Sequence, residues 1–190
     1  MILYNSFAAL ARHERLKTDY RILVGDVGSD ISIIAPHGGK IEPKTSDITR
    51  MIAGRKFNYY CFEGIKAEGN RSLHITSHLF DEPKAVNLVS ASRVVVAVHA
   101  CTDRRRRVYL GGLDSELKKA MSRELGAKGI SVILDHPRFK GSSPANICNR
   151  GPRLKGVQLE ISRGLRDDPH QIRVVSGAVQ TSLDAAAASA

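Results

Sequence analysis

The sequence predicts an α/β fold: a mixed, mostly parallel sheet flanked by helices. Two features predict it. Short β-rich runs alternate along the chain with amphipathic helical stretches, the pattern of stacked strand and helix layers. The run Val94-Val95-Val96-Ala97-Val98 is continuous and almost wholly β-branched, as in a strand covered on both faces. With 190 residues the chain is read as one domain. A chain of this size buries about 70 % of its unfolded surface, so it needs neither disulfide nor metal merely to fold.

The elements follow in order. Ile2, Leu3, Phe7, Leu10 and Leu16 are spaced as one face of an N-terminal helix. Tyr20 to Val24 and Ile31 to Ala35 read as strands, joined by the turn residues Gly25, Asp26, Gly28 and Asp30. A helix is expected from Ser46 to Ala53, capped by Thr45 or Ser46 and stopped at Gly54. Phe57 to Phe62 is the next strand. Pro83 opens a helix to about Ser90, with Asp81 as a candidate cap. After the Val94–Val98 strand, Asp114 caps a helix to about Leu125, and Ile130 to Leu134 is a strand. Residues 135–155 are rich in Pro, Gly and Ser and read as a long loop, a length that usually carries function. Val157 to Ile161 is a strand. Ile172, Val175, Val179 and Leu183 mark a final amphipathic helix, and the tail from Ala185 to Ala190 is expected to fray.

Composition excludes several classes. No apolar run approaches the length of a membrane span. Three cysteines, Cys61, Cys101 and Cys148, without a CxxC pair, are neither a disulfide framework nor a thiolate zinc finger. Residues 1–11 lack the basic-then-apolar order of a signal peptide, so a cytoplasmic location is expected, with release by cell lysis left open. Lys and Arg number 29 against 19 acids, a net charge of +10 that attracts polyanions. Five Tyr, five Phe and no Trp give little material for stacking on single-stranded nucleic acid. The run Arg104–Arg107 reads as a solvated loop or a phosphate patch.

The chemistry-bearing residues gather where α/β sheets place their sites, at the carboxyl ends of strands. His37 follows the Ile31–Ala35 strand, His99 ends the Val94–Val98 strand, and Glu160 lies on Val157–Ile161. In Pro36-His37-Gly38-Gly39-Lys40-Ile41-Glu42, two glycines allow a turn tight enough for His37 and Glu42 to face one point. Imidazole and carboxylate are zinc ligands, and His99 is the candidate third. The same spacing also fits a loop histidine beside a solvated glutamate. Glu160 reads as a general base toward water or, from the alternation Gln158, Glu160, Ser162, as an exposed-face residue. His74 and His78 are candidate ligands or substrate contacts. Arg150 is a candidate carboxylate clamp, whereas Asn146 reads as a loop-holding amide. Cys101 shares a strand face with His99, but no oxyanion partner for a thiol nucleophile is identifiable.

Taken in order, Ala35-Pro36-His37-Gly38-Gly39-Lys40-Ile41-Glu42-Pro43, Thr45-Ser46, Phe62-Glu63-Gly64, Leu73-His74-Ile75-Thr76-Ser77, Phe80-Asp81-Glu82-Pro83, Val98-His99, Gly111-Gly112-Leu113-Asp114, Asn146-Ile147-Cys148-Asn149-Arg150 and Gly156-Val157-Gln158-Leu159-Glu160-Ile161-Ser162 form an ordered set over about residues 31–166. With it the chain resembles the phage-type poly-γ-glutamate hydrolases, a compact branch related to zinc carboxypeptidases. The resemblance implies a carboxypeptidase-like α/β fold and one zinc ion held by His37, Glu42 and His99. It also implies Glu160 as the catalytic carboxylate and cleavage within the polymer. Arg150, Arg163, His74 and His78 are the expected substrate contacts. The expected partner is the polyanionic poly-γ-glutamate substrate, with no membrane and no nucleic acid, and the chain is expected to act as a monomer. Two alternatives stay open: the same machinery acting on another γ-glutamyl or acyl-amide bond, and a basic nucleic-acid-binding module without activity.

Overall fold

A computed structural model describes residues 4–188. Seven strands form one mixed sheet: β1 (Tyr20–Gly25), β2 (Ile31–Gly39), β3 (Asn58–Gly64), β4 (Val94–Cys101), β5 (Arg107–Gly111), β6 (Ser131–Leu134) and β7 (Val157–Ser162). Their spatial order is β1-β3-β2-β4-β7-β5-β6. The central strands β3, β2, β4 and β7 run parallel, and antiparallel pairings join β1 to β3 and β5 to β7. The helices are α1 (Phe7–Ala11), α2 (Thr45–Ala53), α3 (Pro83–Ser90), α4 (Ser115–Ala127), α5 (Arg163–Arg166) and α6 (Pro169–Ala188). The expected α/β fold with a mixed, helix-flanked sheet is the one observed. Among the described residues, no helix is long and apolar enough to cross a membrane.

The β-branched run of β4 is buried on both faces. Val94, Val96 and Val98 face a core closed by Ile48 and Ile52 of α2, Leu117 and Met121 of α4, and Val175 and Val179 of α6. Val95 and Ala97 face a second core with Tyr60, Phe62 and Phe80, closed by Leu10 of α1 and Leu88 and Val89 of α3. Alternate side chains of a strand point to opposite faces, so one uninterrupted apolar run serves both cores.

Several boundaries differ from expectation. β5 was not anticipated; it takes in only Arg107 of the arginine run, and Arg104, Arg105 and Arg106 lie in a loop as read. Val108, Tyr109 and Leu110 are too short a run to announce a strand, but pairing with both β6 and β7 supplies the missing stabilisation. The cap of α2 is Lys44 in a left-handed conformation, because the Thr45 hydroxyl bonds the Glu42 carbonyl instead. Glu82, not Asp81, caps α3 by accepting from the Ala85 amide; the Asp81 carboxylate takes the Phe7 amide. Asp114 caps α4 as expected. Leu16 lies beyond α1 and is exposed, while Ile2 and Leu3 fall outside the described residues. α6 continues to Ala188, over most of the tail expected to fray; residues 189 and 190 lie outside the described residues. The 135–155 loop contains two short 3-10 turns, Pro137–Phe139 and Ile147–Asn149.

Candidate functional site

The parallel strands β2, β4 and β7 end on the same edge of the sheet, and each delivers one chemistry-bearing residue there. β2 runs further than the sequence suggested, so His37 sits inside it. The β2–β3 register shifts between Ala35 and Gly38, where Pro36 has no amide to donate to the ladder. Such a bulge re-aims a side chain, here His37. The chain then turns so that the Glu42 amide returns to the His37 carbonyl at 2.9 Å. Gly39 makes the turn possible. Its φ is +63°, and a Cβ there would stand 2.5 Å from the Gly64 carbonyl oxygen. Gly39→Ala is therefore expected to cost about 2 kcal/mol. A lower denaturation midpoint at unchanged slope would show it.

His37 and His99 are almost wholly buried, with side chains 2 % and 3 % exposed. Their Nδ1 atoms lie 3.2 Å apart. Glu42 brings one carboxylate oxygen to 3.2 Å from His37 Nδ1 and the other to 3.5 Å from His99 Nδ1. The far nitrogen of His37 donates to the Ile75 carbonyl at 2.6 Å. That bond fixes the tautomer and leaves Nδ1 as a lone-pair donor toward the cluster. His99 Nε2 is 3.4 Å from the Ser77 hydroxyl. Two inward nitrogens and a carboxylate form a donor set for a metal ion. Tetrahedral ligands at about 2.0–2.2 Å from zinc stand about 3.3–3.6 Å from one another, and the observed separations match that spacing. Burial alone raises the pKa of Glu42, but His37 and His99 outweigh it and hold the carboxylate well below its usual range.

Glu160 occupies the register position beside His99 on β7. All six residues of β7 are buried, so the exposed-face reading of Glu160 is corrected. The alternation Gln158, Glu160, Ser162 is genuine, but that face of the strand is covered rather than open to solvent. Gln158 donates to Glu160 at 3.3 Å. Burial pushes the Glu160 carboxyl up to about 7, with His99 pulling it down and Glu42 pushing it up.

Two cavities, about 410 and 490 Å³, meet at Glu42, His74, Arg138, Phe139 and Glu160. Arg71 and Arg166 line one; Ser77, His78 and Asn146 line the other. The site is thus approached from two sides. His74 stacks on His37 with centroids 3.8 Å apart, and its Nε2 is 3.8 Å from Glu42. Burial and His37 lower its pKa to about 4. Arg150 donates to the Phe80 carbonyl at 2.7 Å and lines neither cavity. Arg163 pairs with Asp167 at 3.2 Å and lines a neighbouring groove. Asn146 bonds the Cys148 amide and Gln158, the loop-holding role expected of it. Burial raises the Cys101 thiol, which opposes a nucleophilic thiolate.

Sequence reasoning missed Arg71, Arg138 and Arg166. The strand-end rule applied to the segment after β7 points toward Arg166, and the length of the 135–155 loop points toward Arg138. Three of the four arginines in the 104–107 run have carboxylate partners: Arg105 and Arg107 with Asp103, and Arg106 with Asp168. Two carboxylates thus offset part of the run's charge, with Asp103 shared by two of the arginines.

Known proteins share this architecture. The structure of a bacteriophage poly-γ-glutamate hydrolase superposes over the whole of both chains with a TM-score of 0.94 at 28 % identity. A zinc-free apo structure of YndL gives 0.90 at 28 % identity, covering 97 % of this chain and 98 % of that one. In sequence, YndL of Bacillus subtilis (strain 168) is 34 % identical over 86 % of this chain and 65 % of its own length. The SPbeta prophage-derived YoqZ of the same organism is 33 % identical over 92 % of this chain and 64 % of its own. The chain thus spans just under two thirds of these two relatives. A family model for poly-γ-glutamate hydrolase matches residues 4–185, from before β1 to the last turns of α6. The chain belongs to the poly-γ-glutamate hydrolase family.

Proposed function

We propose that this chain is a zinc-dependent hydrolase that cuts γ-glutamyl amide bonds within poly-γ-glutamate. The observation that carries the proposal is the convergence of His37 Nδ1, His99 Nδ1 and both Glu42 oxygens to 3.2–3.5 Å, beside the buried carboxylate of Glu160. The existence of a zinc-free form of YndL, distinguished as such, supports zinc as the metal. His37, Glu42 and His99 would hold it. When bound, zinc supplies Lewis acidity that polarises the scissile carbonyl and lowers the pKa of water to about 7.

The chain's own groups supply the rest. Glu160 takes a proton from the attacking water and passes it to the leaving amine nitrogen. The Ile75 carbonyl keeps His37 in the tautomer that leaves Nδ1 free. Arg138 lines both cavities with Glu160, and its charge favours the developing oxyanion. Arg150 and Arg163 are less suited to that role, since neither lines the two cavities that meet at Glu160. Every unit of the polymer keeps a free α-carboxylate, which the guanidinium fork of Arg71 or Arg166 fits. Two-sided access to Glu160 favours cutting within the chain over trimming its end.

Incubation with poly-γ-glutamate, followed by product size, tests the reading. Early products of intermediate size are expected. Release of single glutamates only would overturn internal cleavage. An untouched polymer, with turnover of another γ-glutamyl amide, would move the same machinery to that substrate.

A further inference from the structure

The cavity beside Glu160 does not end at its outer rim. Pro43 and Arg166 line it and also line a larger groove of about 970 Å³ between α2, α5 and the start of α6. The shared rim is fixed in place. Arg166 donates to the carbonyls of Pro43, Cys101 and Ile161 at 2.7, 2.9 and 3.1 Å. These acceptors are neutral, so the guanidinium keeps its charge. It also keeps one N–H on each terminal nitrogen.

Beyond the rim, the walls carry Lys44, Arg50, Arg163 and Arg173 against two carboxylates, Asp47 and Asp167. Asp47 serves Arg50 at 3.0 Å and Lys44 at 3.8 Å, and Asp167 serves Arg163. Arg173 has no ion-pair partner among the described residues. Positive charge is therefore in excess along the groove. Met51, 41 % exposed, and Ile172 give the same groove apolar surface. A γ-linked glutamate chain has that composite character, with two methylenes in each backbone repeat and a carboxylate beside them. On the other side of Glu160, Thr76, Ser77, Ser142 and Ser143 are neutral.

We propose that this groove is a distal track for the polymer, holding α-carboxylates of units remote from the scissile bond on one side of the site. The proposal rests on the reading of the site as a poly-γ-glutamate hydrolase. Each exposed cation contributes little alone and is screened by salt. The track therefore acts on long chains and is silent toward fragments too short to reach from Glu160 past Arg166.

The test is titration of zinc-loaded Glu160→Gln protein with long poly-γ-glutamate and with γ-linked triglutamate. Each titration is run with and without the added pair Arg50→Gln and Arg173→Gln, at low and high salt. Both arginines lie on the surface, and circular dichroism checks that each variant folds. Loss of the pair is expected to weaken polymer binding about fivefold at low salt and to flatten its salt dependence. Triglutamate binding should stay unchanged. The charge-keeping pair Arg50→Lys and Arg173→Lys should restore most of the polymer affinity. Equal polymer binding with and without the two arginines would overturn the track, as would equal weakening toward both ligands. Polymer cleavage by the unsubstituted protein is measured alongside. Absent cleavage, with polymer binding still dependent on the two arginines, would remove the hydrolase reading and leave the track standing.

Discussion

Glu160→Gln is expected to lower poly-γ-glutamate cleavage by about a thousandfold while leaving zinc content unchanged, since a positioned general acid–base contributes on the order of 10²–10⁴. The substitution is close to isosteric. Gln158 still has an oxygen to bond at position 160. Glu160 is also distinct from the three inward donors of His37, Glu42 and His99. Activity and metal binding should therefore separate. Cleavage rate and zinc content measured on the same preparation check this. Retained activity in the variant would reassign the proton-transfer role to another group in the cavities.

The second large effect concerns His37. Replacing it with Ala removes one of the two inward nitrogens of the His37, Glu42 and His99 donor set, so zinc affinity should collapse. A ligand that binds only the folded state stabilises it by about 4 kcal/mol when present at a thousand times its dissociation constant. For a domain of this size that corresponds to about 10 °C in melting temperature. The unsubstituted protein should thus melt about 10 °C higher with excess zinc than with chelator. His37→Ala should show almost no zinc-dependent shift and activity at the chelated level. A zinc-dependent shift of undiminished size in the variant would place the metal elsewhere.

The sequence carried the frame of the fold because most of its strands and helices are locally marked. The β-branched run of β4, the proline opening α3 and the aspartate capping α4 each name their element. β5 was not legible, because Val108 to Leu110 are stabilised by two partner strands that lie distant in sequence. The glycine turn brought His37 and Glu42 into view as a pair, and the strand-end rule added His99 and Glu160. The arginines around the cavities were legible only in part. Arg71, Arg138 and Arg166 come from three segments that no local pattern links. Arg150, singled out for its fork, is held instead by the Phe80 carbonyl, a contact 70 residues away in sequence. Glu160 was ambiguous for a similar reason: alternation reports that a strand has two unlike faces, but not whether the polar face meets solvent or the wall of a cavity.

The most direct test of the account follows the size of poly-γ-glutamate over time with three preparations of the protein: as purified, chelator-treated, and chelator-treated then restored with zinc, with metal content measured on each. The account predicts one zinc per chain, shortening that stops on chelation and shortening that returns with zinc. Undiminished shortening by folded protein that contains no metal would contradict it.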